Sequence, residues 1–174
     1  MRRFVAVVLA GLALLAFALP AHATTRVKEV FPARSYEVDV CGFPILAQER
    51  SGHPGYLILN DAGQVVGVQF KGSFDTVLTS SHGDLVIETT GSTTITDNGD
   101  GTWTMVQKGS GLAVVPSGDP IGPTLLWFTG TVTSVGTFDP KTLEFTPISQ
   151  VRDGITADVC GMLVTGLKHR HDTL

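Results

Sequence analysis

The stretch VQFKGSFD, residues 68–75, alternates apolar and polar side chains and carries a glycine in the middle of the alternation. Val66, Val68, Phe70, Gly72 and Phe74 share one parity, while Gln69, Lys71, Ser73 and Asp75 share the other. A period of two is that of a strand with one buried and one wet face. The same pattern recurs in Leu85, Ile87, Thr89, Gly91, Thr93 and Ile95. It returns in the run from Trp103 through Gly109 to Val115, in TLLWFTGTVTSVGTFDP (124–140) around Gly130, and from Leu143 to Val151. Glycine inside a strand weakens a flat sheet but permits a sharp bend or a bulge. Long strands interrupted at Gly72, Gly91, Gly109 and Gly130 therefore predict a mainly β domain, a single antiparallel β-barrel of about six to eight strands, with a β-sandwich as the alternative.

Turn signals separate the runs. Asn60-Asp61-Ala62-Gly63 and Ser81-His82-Gly83-Asp84 read as hairpin connections, and TDNGDGT (96–102) is a strong turn cluster. Near the C-terminus the period changes: Val159, Cys160, Leu163, Val164 and Leu167 recur at helical spacing, with Thr156 placed to cap and Asp158 in the first turn. A short C-terminal helix is expected there, followed by a mobile tail over residues 168–174. Residues 24–35, interrupted by Pro32, read as a lead-in before the first strand, so the barrel domain with its helix is placed at 36–167.

The chain opens MRRFVAVVLAGLALLAFALPAHA: two arginines, an uncharged apolar run from Phe4 to Leu19, then Ala21-His22-Ala23. This is the layout of a Sec-type signal peptide over residues 1–23 with cleavage after Ala23, and the apolar run is short for a membrane-spanning helix. The mature product is expected outside the cytoplasm, secreted, with no membrane insertion after cleavage. Processing removes two of the 12 basic residues and none of the 16 acidic ones, leaving a net charge of −6. Scattered acidic groups without clustered Lys and Arg argue against nucleic acid and anionic membrane surfaces as partners.

The two cysteines both stand in the frame Asp-Val-Cys-Gly, at Cys41 and Cys160. An even count in an oxidising compartment predicts a disulfide. Closing a loop of about 120 residues stabilises the fold by roughly 4.9 kcal/mol on the chain-entropy account. No Cys-x-x-Cys spacing supports redox chemistry, and neither cysteine has neighbours suited to a metal.

Other candidates for chemistry are weaker. Ser81, His82 and Asp84 supply the residue types of a hydrolase triad but crowd one turn, and no Gly-x-Ser-x-Gly elbow occurs. Asp97, Asn98 and Asp100 offer oxygens to calcium without the glutamate that closes an EF-hand loop. His169 and His171, with His53 or His82, lack a third ligand fixed by local spacing. Glu37, Asp39, Glu49, Glu88 and Glu144 are acid/base candidates only where one points into the interior. No catalytic set, metal site or cofactor is assigned. Phe70, Phe74, Trp103, Met105 and Trp127 are the large apolar residues of the strands and the candidate lining of a cavity for a small apolar molecule.

The signal peptide, the Cys41-Gly42-Phe43-Pro44 entry, the glycine-interrupted strands and the late helix bearing Cys160 together resemble small secreted actinobacterial proteins of unknown function. That resemblance covers residues 36–165 and implies a one-domain barrel akin in architecture to dirigent and allene oxide cyclase barrels. It transfers no site residues. The expectation is a non-enzymatic secreted binder of a small apolar ligand or of a surface partner such as a cell-envelope component. A cyclase- or isomerase-like barrel using one buried carboxylate is the enzyme-class alternative.

Overall fold

The computed structural model describes residues 24–166; residues 1–23, expected as a signal peptide, and the expected tail, 168–174, lie outside the described residues, as does residue 167. Nine strands are followed by one helix: β1 Thr25–Phe31, β2 Ser35–Val38, β3 Ile45–Glu49, β4 His53–Leu59, β5 Val65–Ser80, β6 Gly83–Asp97, β7 Trp103–Val115, β8 Thr124–Asp139, β9 Glu144–Asp158 and α1 Val159–Thr165. All pairings are antiparallel, in the order β1-β4-β5-β6-β7-β8-β9, with β3 joined to the far half of β5 and β2 to β3. The domain is mainly β with a short C-terminal helix, as expected.

The long alternating runs are long strands because the alternation persists on one face. In β6 Leu85, Ile87 and Ile95 are buried, and in β8 Leu126, Phe128, Val132, Ser134 and Phe138 are buried. The interior glycines stand in register. Gly72 lies opposite Gly91, Gly91 opposite Gly109, Gly109 opposite Gly130, and Gly130 opposite Gly154, a single row crossing five strands. The backbones approach so closely here that a Cβ on Gly91 would sit 1.9 Å from the Lys108 carbonyl oxygen, and one on Gly109 2.1 Å from that of Thr90. Both residues also hold positive φ, 152° and 112°. Only a residue without a side chain satisfies both demands.

The row is a crease. Hydrogen bonds cross it from one half of a strand onto the other half of the sheet: Gln107 Nε2 donates to the Leu112 carbonyl at 3.5 Å, and Gln150 Nε2 to the Val114 carbonyl at 3.4 Å. Beyond the crease the sheet splits. Pairing of β6 with β7 ends at Thr90 and Ser110, whereas β7 and β8 stay paired to Val115 and Thr124. One wing is formed by β2, β3 and the far halves of β5 and β6, the other by the far halves of β7, β8 and β9. A core cluster containing Val38, Ile45, Ala47, Leu78, Leu85 and Ile87 of the first wing also contains Leu125 of the second and Val159 and Leu163 of α1. On the opposite parity Ala113 and Phe128 pack with Val132 across the crease. The far halves of β7 and β8 are thus buried on both faces, which explains why neighbours Leu125 and Leu126 are 2% and 5% exposed.

The disulfide joins the wings. Cys41, in the bend between β2 and β3, is bonded to Cys160 of α1 across 119 residues of chain, with Cα atoms 5.3 Å apart. Asp158 caps the helix by accepting from the Cys160 amide, and left-handed Gly166 ends it. Thr156, expected at the cap, belongs instead to β9, because pairing with β8 runs on through Asp158 opposite Leu126.

Two expectations are corrected. The pairing path is open, with β9 at its end, so nine strands do not close into a barrel of about six to eight. The wings are tied by a disulfide and a core cluster where a barrel would have a hydrogen-bonded seam. Residues 24–35, expected as a lead-in, contain β1, paired over its full length with β4. The buried Phe31 at its end, edge-to-face with Phe70 at 5.0 Å, secures it.

Gly109→Ala is expected to cost at least about 3 kcal/mol, from backbone collision and strained φ together. Gly118→Ala, where a Cβ meets nothing within 4 Å, should change stability by less than about 0.5 kcal/mol. Urea denaturation of both variants checks this, and equal costs would remove the crease argument. The intact mass of the processed chain should fall two daltons short of the reduced form, and Cys41→Ser with Cys160→Ser should lower stability by about 2–5 kcal/mol.

Candidate functional site

The five aromatic and methionine residues expected around one cavity are distributed among separate clusters. Phe70, Trp103 and Met105 belong to the core cluster of the near half, with Phe31, Val68, Ile95 and Phe138; Trp103 lies 5.0 Å from Phe138. Trp127 packs against the cluster between the wings. Phe74 lies on the His53 ring, centroids 4.0 Å apart. The structure brings three of the five together, as side chains packed on one another.

Of the five carboxylates considered from sequence, Glu49 is the one that is buried, its side chain 3% exposed. It closes the run Ile45, Ala47, Glu49 on the inward face of β3, opposite buried Thr76 of β5. Its Oε2 lies 2.9 Å from His53 Nε2 and accepts from the Arg34 backbone N–H at 3.0 Å. Its Oε1 accepts from Arg34 Nη2 at 3.0 Å. Arg34 also donates to the Leu143 carbonyl in the β8–β9 connection, 109 residues away. Burial alone would raise the Glu49 pKa, but the hydrogen bonds from His53 and Arg34 and the guanidinium charge outweigh it and hold the carboxyl below its ordinary value. Both carboxylate oxygens are engaged, so the group ties the β1–β2 connection, β3, β4 and, through Arg34, the β8–β9 connection together.

A second polar set lies at the crease. Asp119, in the β7–β8 connection, receives Arg152 Nη2 of β9 on both oxygens at 2.8 and 2.7 Å. Gln150 donates to Ser134 Oγ at 3.0 Å, and Ser134 is fully buried. Gln107 Oε1 is the one buried side-chain oxygen or nitrogen without a partner among the described residues.

The turn residues are accounted for locally. Asp97 accepts from Gly99 N–H and Asp100 from Thr102, so TDNGDGT spends these oxygens on its own turn. Ser81, His82 and Asp84 are exposed on the β5–β6 hairpin. His169 and His171 lie outside the described residues.

An open groove of about 460 Å³ lies on the outer side of the sheet where β1, β4, β5 and β6 run side by side. Its lining includes Thr24, Arg26, Ile58, Gly67, Gln69 and Thr96. Gly67 lets it sink: a Cβ there would meet Ile58 Cγ1 at 3.2 Å. Arg26 is pinned by Gln69 Oε1 at 2.6 Å and lies 4.5 Å from the Tyr56 ring centroid. No sequence signal marks this site: residues 24–35 carry no strand pattern, and Gly67 stands outside the row of interior glycines at Gly72, Gly91, Gly109 and Gly130. The missed partner of Glu49, His53, stands between Gly52 and the Pro54-Gly55 pair, a turn-like context that hides the start of β4.

Among models of known protein families, curated proteins and solved structures, the chain matches none.

A depressed carboxyl pKa contributes stability above the ordinary carboxylate range that is lost as pH falls through the folded value. The wild-type melting temperature should therefore fall more steeply between about pH 5 and pH 3 than that of Glu49→Gln. The variant should be less stable by about 1–3 kcal/mol at pH 7, since Arg34 and His53 lose their acceptor. Parallel acid titrations of the two proteins would refute this.

Proposed function

We propose that the chain is an exported, non-enzymatic binding protein that takes a small amphiphilic ligand on the outer side of its sheet. The observation that carries the reading is the groove at β1, β4, β5 and β6, combined with an inward face occupied by packed side chains. Ligand sites are concave and combine apolar surface with a few placed polar groups, and the groove offers Ile58 and Val66 beside Arg26 and Gln69. The engagement of both Glu49 oxygens supports the non-enzymatic reading over a cyclase or isomerase working from one buried carboxylate. The disulfide is compatible with an oxidising compartment and with secretion after removal of residues 1–23. Among the described residues no helix is long and apolar enough to cross a membrane. In architecture we read a barrel-like fold, a creased sheet whose two wings are drawn together by the disulfide, in line with the small secreted proteins it resembles.

A surface partner such as a cell-envelope component is the second reading. It draws on Ile148, Val151 and Ile155 of β9, which are 61%, 72% and 61% exposed on a strand with one unpaired edge.

Protein recovered from the export compartment should carry one small amphiphile per chain in native mass spectra, and Thr96→Trp, which fills the groove from an exposed position, should abolish it. Recovery of ligand-free protein that binds envelope material equally well with and without Thr96→Trp would favour β9 and overturn the groove.

A further inference from the structure

Thr24, the residue that follows the expected cleavage point, lines the groove. In the unprocessed chain its nitrogen is a neutral amide. Among the groove's lining groups Arg26 is then the one cation and Asp97 the one anion, so the charges balance. Cleavage after Ala23 turns the Thr24 nitrogen into an α-ammonium, with a pKa of about 7.7 in the absence of perturbation. The lining then carries two positive groups against one carboxylate. Asp97 already accepts from Gly99 N–H at 2.8 Å, which orients its Oδ1 toward its own turn. Arg26 is held in place by Gln69 and Tyr56, so it presents a fixed charge. Between these groups lies an apolar strip of the lining formed by Ile58, Val66 and Gly67.

We propose that signal-peptide removal completes this groove as a site for a small amphiphilic carboxylate, whose anionic head is held by the Thr24 α-ammonium and Arg26 and whose apolar chain lies along Gly67. The inference rests on the groove reading of the preceding subsection and adds the ligand's charge and its dependence on processing. Export thereby becomes the step that makes the protein competent to bind: a chain that retains residues 1–23 lacks one of the two charges that recognise the head group.

The test uses decanoate as probe and decan-1-ol as its uncharged counterpart, with the amide resonances of Gly67, Thr94 and Thr96 as readout. Mild periodate converts an N-terminal threonine to a glyoxylyl group, which removes the ammonium without adding bulk. Decanoate should shift the groove amides of the exported protein. The glyoxylyl form and Arg26→Gln should each bind decanoate about three- to fivefold more weakly, the worth of one partly exposed charge pair, with decan-1-ol unaffected. Equal decanoate affinity before and after periodate would overturn the role of the N-terminus and leave the groove standing. A processed chain that does not begin at Thr24 would do the same. Groove amides unmoved by either probe would overturn both readings.

Discussion

Backbones pressed together in pairs along one line of glycines set the shape of this protein. At Gly91 and Gly109, and again at Gly130 and Gly154, the carbonyl of one strand occupies the space that the neighbour's Cβ would need. Everything else follows from that contact. The sheet bends there, so Gln107 and Gln150 reach carbonyls on the far side of the bend. The β6–β7 ladder then ends, the wings separate, and a core fills the gap between them. The helix lies where it does because it covers that core, touching both β8 and β6. The cysteine it carries is thereby brought within bonding distance of the β2–β3 bend.

The buried polar groups serve the same geometry. A creased sheet leaves inward-facing positions that are not filled by strand-to-strand packing alone, and two ionic ties hold its loose parts. Arg152 and Asp119 fasten the β7–β8 connection to β9. Arg34, Glu49 and His53 fasten the β1–β2 connection, β3 and β4 to one another and to the β8–β9 connection. Such groups are costly to desolvate, and in both sets each carboxylate oxygen accepts at least one hydrogen bond. The buried acid and histidine thereby join segments that the backbone ladders leave separate.

Much of the fold was legible in the sequence, and the illegible part has a common cause. Alternation marked β5 to β8 because β5 and β6, and β8 beyond its glycine, keep one more buried and one wetter face, and the interior glycines marked strands that bend. Their alignment into one crease was not legible, because register is a relation between strands that no single strand displays. Helical spacing placed α1, but the cap fell two residues late, at Asp158, since continued pairing with β8 overrides the local preference of Thr156. β1 escaped notice because six of its seven residues are exposed, so its sequence carries no apolar stripe and only Phe31 betrays it. Glu49 could be suspected from the Ile45-Ala47-Glu49 alternation. His53 could not, because its partner lies on a different strand. The groove depends on an absent side chain, that of Gly67, and absence leaves no pattern to read.

The order of the strands also has a kinetic consequence. From β4 to β9 each strand pairs with the next in the chain, so the sheet can assemble by successive hairpin closures with little chain entropy lost at each step. The glycine row then acts as a vernier: a hairpin that slips by one residue meets a Cβ at the crease and cannot close the neighbouring strands. The linkage between Cys41 and Cys160 is the opposite kind of contact, spanning nearly the whole described chain, and it can form only after the last hairpin and the helix are in place. Self-checking local assembly is thereby separated from a late covalent seal, and the seal records that the assembly was correct.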